Sequence, residues 1–317
     1  MTTATRRAKA GLVVILGPTA AGKSELAVRL AERFDGEIVN ADSMQVYRGL
    51  DIGTAKPSQE LRERAPHHLL DQVPPDVNFT AADFVAAASA AICEIQGRGK
   101  RVFVVGGTGL YIRALLKGLA VSPGGDEEIR RQLVAVAAAE GNDGLMRRLA
   151  AVDPETAARL HPNDRLRIIR ALEVYQQTGL PLSRYQADHG FAEKHYDCLQ
   201  LGLLVEREEL YRRIEVRVDA MLAAGLVAEV AALLAQGFSP ESKPFKAIGY
   251  KQVCAYLAGS CSLAEAVELI KRDTRRYAKR QLTWFKSEPE IYWVEYPESF
   301  ASICNHVIDF FAQRSGV

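Results

Sequence analysis

The fold of this chain follows from residues 17–24, which read Gly17-Pro18-Thr19-Ala20-Ala21-Gly22-Lys23-Ser24. The stretch fits the phosphate-loop pattern G-x-x-x-x-G-K-[ST], and it lies between an apolar run at 12–16 and a helical pattern at 23–34. In that setting the backbone N–H groups and the start of the helix converge on an anion, and Lys23 adds a mobile positive charge. The flanking strand and helix disfavour a glycine-rich turn without a ligand. The sequence therefore predicts phosphate binding, with Mg²⁺ as a cofactor held by the Ser24 hydroxyl.

Short apolar runs alternate with helical patterns in the N-terminal part of the chain. Strands are predicted at 12–16, 37–40, 68–70 and 102–105, and helices at 23–34, 81–96 and 110–116. This alternation is typical of a mostly parallel α/β sheet covered by helices, here with a phosphate loop as in the P-loop NTPase-like folds.

The pattern changes after the chain-breaking sequence Ser-Pro-Gly-Gly at 122–125. Residues 126–186 show helical patterns without a strand. Strand patterns return at 198–205 and 291–294, with amphipathic helices at 206–223 and 226–236 between them. We therefore predict two domains. An α/β core with the catalytic site is formed by residues 11–121 and 196–317, and an inserted all-helical module is formed by residues 122–195.

Composition and charge are those of an ordinary soluble protein. Of the 317 residues, 48% are hydrophobic and 25% are charged, and no apolar run approaches the roughly 20 residues of a membrane span. Arg6, Arg7 and Lys9 precede an apolar run that is too short for a signal peptide. The five cysteines form no C-x-x-C pair, which favours reduced thiols over disulfides or zinc. We expect a cytoplasmic protein without a membrane partner, and a net charge of +1 argues against a general polyanion binder.

Positive charge is concentrated between residues 271 and 286. That stretch has one acidic residue, Asp273, and seven basic ones: Lys271, Arg272, Arg275, Arg276, Lys279, Arg280 and Lys286. Tyr277, Trp284 and Phe285 are interleaved with the cations. Cations for phosphates and rings for bases suit a nucleic-acid surface. The alternative is the solvated face of a helix, which ordinarily carries more acidic partners.

Three motifs follow predicted strands and are expected at one edge of the sheet. They are the phosphate loop, the segment Asp42-Ser43-Met44-Gln45, and the segment Gly106-Gly107-Thr108-Gly109. Ligands of open α/β sheets bind outside the carboxyl ends of the strands. Taken alone, the aspartate could cap a helix and the glycines could make a tight turn. Convergence on one edge favours a functional site.

Several segments resemble the tRNA dimethylallyltransferases. They are residues 42–57, 106–113, 167–174, 178–183, 247–252 and 279–285, and the resemblance runs in order from about residue 11 to residue 293. Two features differ from the family pattern. Lys286 stands where arginine is commoner, and the zinc finger of the eukaryotic members is absent. The resemblance therefore implies a member of the bacterial type.

The resemblance implies transfer of a dimethylallyl group from dimethylallyl diphosphate to N6 of the adenosine on the 3′ side of the tRNA anticodon, with release of diphosphate. That amine is a poor nucleophile because its lone pair is delocalised into the ring. A carboxylate that removes its proton accelerates such a reaction, typically by about 10²–10⁴-fold. The family pattern assigns this role to Asp42 and places Thr108 and Arg217 at the reacting centre. It places the diphosphate on residues 17–24, where Mg²⁺ on Ser24 and the loop stabilise the leaving group.

The resemblance also implies contacts to the anticodon stem-loop of tRNA, with the target base turned out of its stack toward Asp42. The implied contact residues are Asp42, Ser43, Met44, Gln45 and Thr108 around the base, and Arg130, Leu166, Arg167, Ile168, Ile169, Arg170, Ala247, Ile248, Gly249, Tyr250, Lys251, Gln252, Arg280, Gln281, Leu282, Thr283, Trp284, Phe285, Lys286 and Ser287 along the stem-loop. We expect the helical module to close over the RNA and the protein to act as a monomer.

Three other functions fit part of the sequence. A P-loop small-molecule kinase would share the phosphate loop and Asp42, but the guanine-reading N-K-x-D motif and an arginine-rich lid are missing. An adenylate isopentenyltransferase would share the first motifs and take a free nucleotide, whereas the helical insertion and the basic aromatic stretch favour RNA. A non-catalytic RNA-binding protein would leave Asp42 without a purpose.

Overall fold

The computed structural model describes residues 11–120, 122–190 and 195–315. These residues form two compact units. The first unit takes in the described parts of Met1–Leu116 and His195–Val317, and the second takes in those of Lys117–Lys194. The helical unit thus begins at Lys117, before residue 122. Arg6, Arg7 and Lys9, and residues 121, 191–194 and 316–317, lie outside the described residues.

The first unit is built on a six-stranded sheet. In chain order its strands are β1 Gly11–Leu16, β2 Gly36–Asn40, β3 His67–His68, β4 Arg101–Gly106, β5 Asp197–Leu204 and β6 Ile291–Glu295. Their order across the sheet is β3-β2-β4-β1-β5-β6, and every neighbouring pair is parallel. The predicted parallel α/β architecture is confirmed.

One strand differs from its prediction. β3 has two residues, which pair with Ile38 and Val39 of β2, whereas the sequence analysis placed a strand at 68–70. Leu69 and Asp71 have φ values of 65° and 56°. Because this left-handed backbone cannot continue a strand, the ladder ends at His68.

Helices cover the sheet and make up the second unit. In chain order they are α1 Lys23–Arg33, α2 Gln59–Arg64, α3 Ala81–Gly97, α4 Gly109–Lys117, α5 Glu127–Val152, α6 Pro154–Arg159, α7 Arg165–Thr178, α8 Leu182–His189, α9 Arg207–Ala223, α10 Leu226–Ala235, α11 Tyr250–Leu257, α12 Leu263–Lys286 and α13 Phe300–Ser315, with a 3₁₀ turn at Lys243–Lys246. The sequence analysis did not anticipate α13. Within the described ranges no single helix has the length and apolar composition of a membrane span. The bent pair α9 and α10 has that length and composition only when the two helices are taken together.

Both faces of the sheet are buried because alternate residues of a strand point to opposite faces. In β1, Leu12, Val14 and Leu16 join a core with residues of α3, α4 and α9 to α12. Val13 and Ile15 join a second core with residues of α1 and α13. β1 is therefore packed on both faces, and the phosphate loop that follows it starts from a rigid, central strand.

The second unit is all-helical over its described residues, as predicted for 126–186. α5 is interrupted at Gly141, whose φ of 71° and ψ of −177° are not helical. Leu133 and Leu149 of α5 pack with Ile168 and Leu172 of α7 in a separate hydrophobic core. This unit therefore has its own interior.

Candidate active site

A cavity of about 670 Å³ lies at the carboxyl ends of the strands in the first unit. Its wall includes residues 19–24 of the phosphate loop, residues 42–45 after β2, and Gly106 and Gly107 at the end of β4. Side chains of α9 and α12 complete the wall. The three motifs therefore converge on one crevice, as the sheet topology predicts.

The phosphate loop has the backbone of an anion site. Gly17 and Gly22 have φ values of 143° and 94°, which favour glycine, and a Cβ on Gly17 would lie 3.2 Å from the carbonyl oxygen of Leu203. Gly22 precedes α1, and no described side chain caps the helix there. The first N–H groups of α1 therefore remain available to an anion, which the helix dipole attracts.

Lys23 is folded over the same loop. Its Nζ donates hydrogen bonds to the carbonyl oxygens of Gly17 at 3.1 Å and Pro18 at 2.7 Å. Burial, followed by the charge of Arg217, lowers the pKa of Lys23 to about 8, while the charge of Asp42 acts in the opposite direction. A bound phosphate would supply the missing negative charge and hold Lys23 in its protonated form.

Asp42 follows β2 and lines the cavity. Its Oδ1 accepts hydrogen bonds from the backbone N–H groups of Met44 at 2.8 Å and Gln45 at 3.4 Å, which fix the carboxylate in place. Among the described residues no hydrogen bond reaches Oδ2, so that oxygen is left to meet a substrate. Burial raises the pKa of Asp42, against the effects of the two N–H donors and of Lys23. A carboxylate with a raised pKa is a better proton acceptor than one in water.

Thr108 supports the Asp42 segment from the neighbouring strand. Its Oγ1 accepts a hydrogen bond from the Ser43 N–H at 3.1 Å, and its own N–H donates to the Ala41 carbonyl oxygen at 3.4 Å. A Cβ on Gly106 would lie 2.1 Å from that same oxygen. Only glycine permits this close approach, and it lets Thr108 hold the backbone on both sides of Asp42.

Arg217 enters the cavity from α9. Its Nη1 donates to the Thr19 hydroxyl at 3.4 Å, and burial lowers its pKa. Arg213, one turn earlier, donates instead to Glu209 at 2.7 Å. Of the two arginines that share this helix face, Arg217 is the one on the cavity wall.

The pocket beside Asp42 is held together by residues from distant parts of the chain. Gln45 donates through its side-chain amide to the carbonyl oxygens of Thr54 and Ala55, at 3.0 and 3.1 Å. The Glu229 carboxylate of α10 accepts hydrogen bonds from three consecutive N–H groups: Asp51, Ile52 and Gly53. It also accepts one from the Tyr250 hydroxyl at 2.6 Å. Sequence reasoning missed Glu229 because no motif surrounds it.

The predicted tRNA segments of the first unit divide into exposed and buried side chains. Ser43, Met44, Gln45, Ala247, Ile248, Gly249, Lys251 and Arg280 line the cavity. Thr283, Lys286 and Ser287 are exposed, and Leu282 and Trp284 are half-buried. Tyr250, Gln252, Gln281 and Phe285 are at most 6% exposed. These four side chains pack in the interior of the unit, and that of Gln281 also lies on the cavity wall. RNA contact at these positions stays a prediction.

The same division occurs in the second unit. Leu166 is 84% exposed, whereas Ile168 and Ile169 lie in the core between α5 and α7. Arg130 and Arg170 both pair with the buried carboxylate of Glu173, at 2.8 and 2.7 Å, and Arg167 is exposed. The side chains of Ile168 and Ile169 stabilise the helix packing, and RNA contact by this segment stays a prediction.

The basic stretch lies on α12. Acidic side chains of α9 form ion pairs with it, which the sequence analysis did not predict. Lys271 pairs with Asp219 and Arg275 pairs with Glu215, both at 2.7 Å. Partly exposed pairs of this kind contribute about 0–1 kcal/mol each. The scarcity of acidic residues within the stretch was therefore a weaker indication of RNA binding than it appeared in the sequence.

Other cavity residues lie outside every sequence motif. Lys243 and Lys246, the first and last residues of the 3₁₀ turn, line the cavity, and burial lowers the pKa of Lys243. Asn40, at the end of β2, also lines it, and its buried Nδ2 has no hydrogen-bond partner among the described residues. The signal available in the sequence for a basic rim was the presence of Lys243, Lys246 and Lys251 within nine residues, over the 3₁₀ turn and the start of α11.

The donor set of the cavity fits a magnesium ion that is shared with phosphate. Within residues 11–120, 122–190 and 195–315, no group of three or more His, Cys, Asp or Glu side chains is placed to hold a metal by itself. Mg²⁺ in phosphate sites uses few protein ligands, and phosphate oxygens and waters provide the rest. Ser24, in the first turn of α1 and on the cavity wall, suits that role.

A phosphate loop, the half-buried cations Lys23 and Arg217 and the half-buried carboxylate of Asp42 meet in one cavity at the end of a parallel sheet. The fold and the site together define a phosphate-loop enzyme. Residues 45–288 match a family model described as IPP transferase. With the relatives described next, this match shows that the chain belongs to the IPP transferase family.

Similar proteins span nearly the whole chain. It is 70% identical over 304 residues to tRNA dimethylallyltransferase 2 of Geotalea uraniireducens, covering 96% of this chain and 98% of the relative. It is 63% identical over 303 residues to tRNA dimethylallyltransferase of Geobacter sulfurreducens, covering 96% and 97%. The crystal structure of tRNA isopentenylpyrophosphate transferase from Bacillus halodurans is similar at 40% identity and a TM-score of 0.73, covering 97% and 98%. A eukaryotic dimethylallyltransferase acting on tRNA is similar at 31% identity and a TM-score of 0.80, covering 96% of this chain and 80% of the other.

Proposed function

We propose that the protein transfers a dimethylallyl group from dimethylallyl diphosphate to N6 of the adenosine on the 3′ side of the tRNA anticodon, with release of diphosphate. The observation that carries the proposal is the placement of the Asp42 carboxylate and the phosphate loop in one cavity. A proton acceptor and a diphosphate site are what an amine and a diphosphate ester need to react. The relatives named tRNA dimethylallyltransferase support the choice of tRNA as acceptor.

Asp42 acts as the base. As the C–N bond forms, the N6 amine becomes positively charged, and Oδ2 of Asp42 accepts one of its protons. The hydrogen bonds to Oδ1 from Met44 and Gln45 keep the carboxylate oriented while this happens. Thr108 contributes by holding Ser43, and through it the turn that carries Asp42.

The phosphate loop stabilises the leaving group. As the carbon–oxygen bond breaks, negative charge grows on the diphosphate, and preorganised N–H groups and cations lower the energy of that state. The N–H groups at the start of α1, Lys23 and Arg217 supply this stabilisation. Mg²⁺ held by Ser24 would add charge neutralisation at the same phosphate oxygens.

The RNA is bound by the basic and polar rim of the cavity. Lys246, Lys251 and Arg280 line the cavity wall and are exposed. We assign the anticodon stem-loop to these residues, with Ser43, Met44 and Gln45 around the target base. In the second unit, exposed Leu166 and Arg167 are proposed as further contacts. We also propose that the protein acts as a monomer in the cytoplasm, where its five cysteines, which form no C-x-x-C pair, would stay reduced.

The proposed function is tested by comparing tRNA and AMP as acceptors of the dimethylallyl group. The protein is incubated with Mg²⁺, dimethylallyl diphosphate and either unmodified tRNA or AMP, and the nucleosides are analysed by mass spectrometry. We expect prenylated adenosine from the tRNA and none from AMP. A matched tRNA with guanosine at the target position, which has no N6 amine, should give none.

Two results would contradict the proposal. Prenylation of AMP without prenylation of tRNA would identify an adenylate isopentenyltransferase. Transfer of phosphate from ATP to a small molecule, without prenyl transfer, would identify a kinase.

A further inference from the structure

Gln281 of α12 bridges the two loops that form the reacting centre. Its Oε1 accepts a hydrogen bond from the Thr19 N–H of the phosphate loop at 2.9 Å. Its Nε2 donates to the Gly107 carbonyl oxygen, also at 2.9 Å. The side chain is 6% exposed, and a Cβ on Gly107 would lie 2.3 Å from its Nε2. The amide therefore fits tightly between the loops, with both polar ends used.

The hydrogen bond between Gln281 and the Thr19 N–H determines where the anion site of the phosphate loop begins. Because the Thr19 N–H already donates to Gln281, the N–H groups left for a diphosphate begin at Ala20. Arg217 donates to the hydroxyl of the same threonine. Thr19 is thus held at its backbone and at its side chain, and the loop that follows starts from a fixed point.

The bond to Gly107 acts on the opposite side of the cavity. Gly107 directly precedes Thr108, which accepts from the Ser43 N–H and donates to the Ala41 carbonyl oxygen. Those two residues flank Asp42. A displacement of Gly107 would therefore move the support of the base.

We propose that Gln281 is a positioning residue that sets the distance between the bound diphosphate and the Asp42 base, and that it does not contact tRNA. The inference rests on the proposed function, since it assigns these two groups to one reaction. Arg280 provides the contrast: it is the neighbouring residue, it is exposed, and it lines the cavity wall. Adjacent positions on α12 therefore serve different purposes.

The test compares Gln281→Met with the matched control Arg280→Met. Methionine keeps the length of glutamine and removes both hydrogen bonds, which leaves a buried N–H and a buried carbonyl unpaired. For Gln281→Met we expect single-turnover prenyl transfer to fall by about 10- to 100-fold and inorganic pyrophosphate to bind about tenfold more weakly, with tRNA affinity within about twofold of the parent. For Arg280→Met we expect weaker tRNA binding with a flatter salt dependence and unchanged pyrophosphate affinity.

Two outcomes would overturn the inference. One is a Gln281→Met protein with parental transfer rate and pyrophosphate affinity. The other is a Gln281→Met protein that loses tRNA affinity as Arg280→Met does while it binds pyrophosphate normally. Pyrophosphate binding needs no prenyl transfer, so a parent protein that binds it without modifying tRNA would contradict the proposed function and still allow this comparison.

Gln281→Glu keeps the inference testable if Gln281→Met does not fold. A protonated glutamic acid accepts from Thr19 and donates to Gly107 as glutamine does, whereas a carboxylate faces the Gly107 carbonyl and repels the diphosphate. The parent protein has the same titratable and charged groups on this cavity wall, which are Lys23, Glu25, Asp42, Arg217, Lys243, Lys246, Lys251, Tyr277 and Arg280. Pyrophosphate affinity, taken as a ratio to the parent, should therefore recover as the pH falls. A ratio that does not change with pH would count against the positioning role.

Discussion

The phosphate loop and α12 contribute to the same cavity in different ways. The loop acts through its backbone, so eight consecutive residues, 17–24, form one continuous surface around an anion. α12 acts through side chains that alternate between inside and outside with the helical period. Gln281 and Phe285 point inward, and Arg280, Thr283 and Lys286 are exposed. In a loop, the consecutive residues of a motif can therefore all contact the ligand. In a helix, a motif of consecutive residues contains some side chains that face the ligand and others that pack in the interior.

The largest effect is expected at the base, which the loops hold directly. Asp42→Asn keeps Oδ1 as the acceptor for Met44 and Gln45 and removes the proton acceptor. Single-turnover prenyl transfer should fall by at least about 100-fold, with little change in tRNA affinity. Rapid-quench assays and filter binding measure the two quantities. A parental rate in the asparagine variant would remove Asp42 from its role.

A smaller effect on the reaction rate is expected from a change of pH, because it titrates Lys23 of the phosphate loop. The reaction needs protonated Lys23, and that form is lost as the pH rises through its pKa of about 8 in the free protein. It also needs ionised Asp42, which is gained as the pH rises. kcat/KM for dimethylallyl diphosphate should therefore fall about tenfold per pH unit above pH 8.

Two controls sharpen the assignment to Lys23. Bound diphosphate raises the pKa of Lys23, so the alkaline limb of kcat should lie at higher pH than that of kcat/KM. Lys23→Arg, which stays protonated, should have no such limb. An unaltered alkaline limb in the arginine variant would point to a different group.

The smallest effect is expected in the second unit, where α7 repeats the division seen on α12. Ile168→Val should lower the free energy of unfolding by about 0.5–1.5 kcal/mol and leave tRNA affinity unchanged. Leu166→Ala, at an exposed position two residues earlier, should keep stability within about 0.5 kcal/mol and weaken tRNA binding. Denaturant titration and tRNA titration of the two variants would test the distinction. Equal losses of tRNA affinity would show that α7 binds as a whole segment.

The sequence was sufficient for the parts of the fold that depend on local patterns. β1, β2, β4 and β5 were predicted within a residue or two because each is a short apolar run bounded by turn signals. Their common edge followed from the parallel topology, which brought the phosphate loop, Asp42 and Thr108 together.

The remaining parts depend on residues that meet only after folding. Glu229 accepts hydrogen bonds from the N–H groups of residues 51–53, which are more than 170 positions earlier in the chain. No sequence pattern around Glu229 distinguishes it from other acidic residues in helices. The inward side of α12 could have been predicted from helical periodicity, but the charges on its other side dominated the interpretation. Glu215 and Asp219 on α9, which pair with that helix, could be assigned to it only once the packing was known.

The strand order also has a consequence for how the protein is made. β1 lies between β4, which precedes the helical unit in the chain, and β5, which follows it. Because synthesis proceeds from the N-terminus, one edge of β1 has no partner until Asp197–Leu204 have left the ribosome. Leu203 then packs against Gly17, and Gln281 reaches Thr19 later still. The phosphate loop is therefore translated before β5 and α12, and its packing is completed only after both have been made.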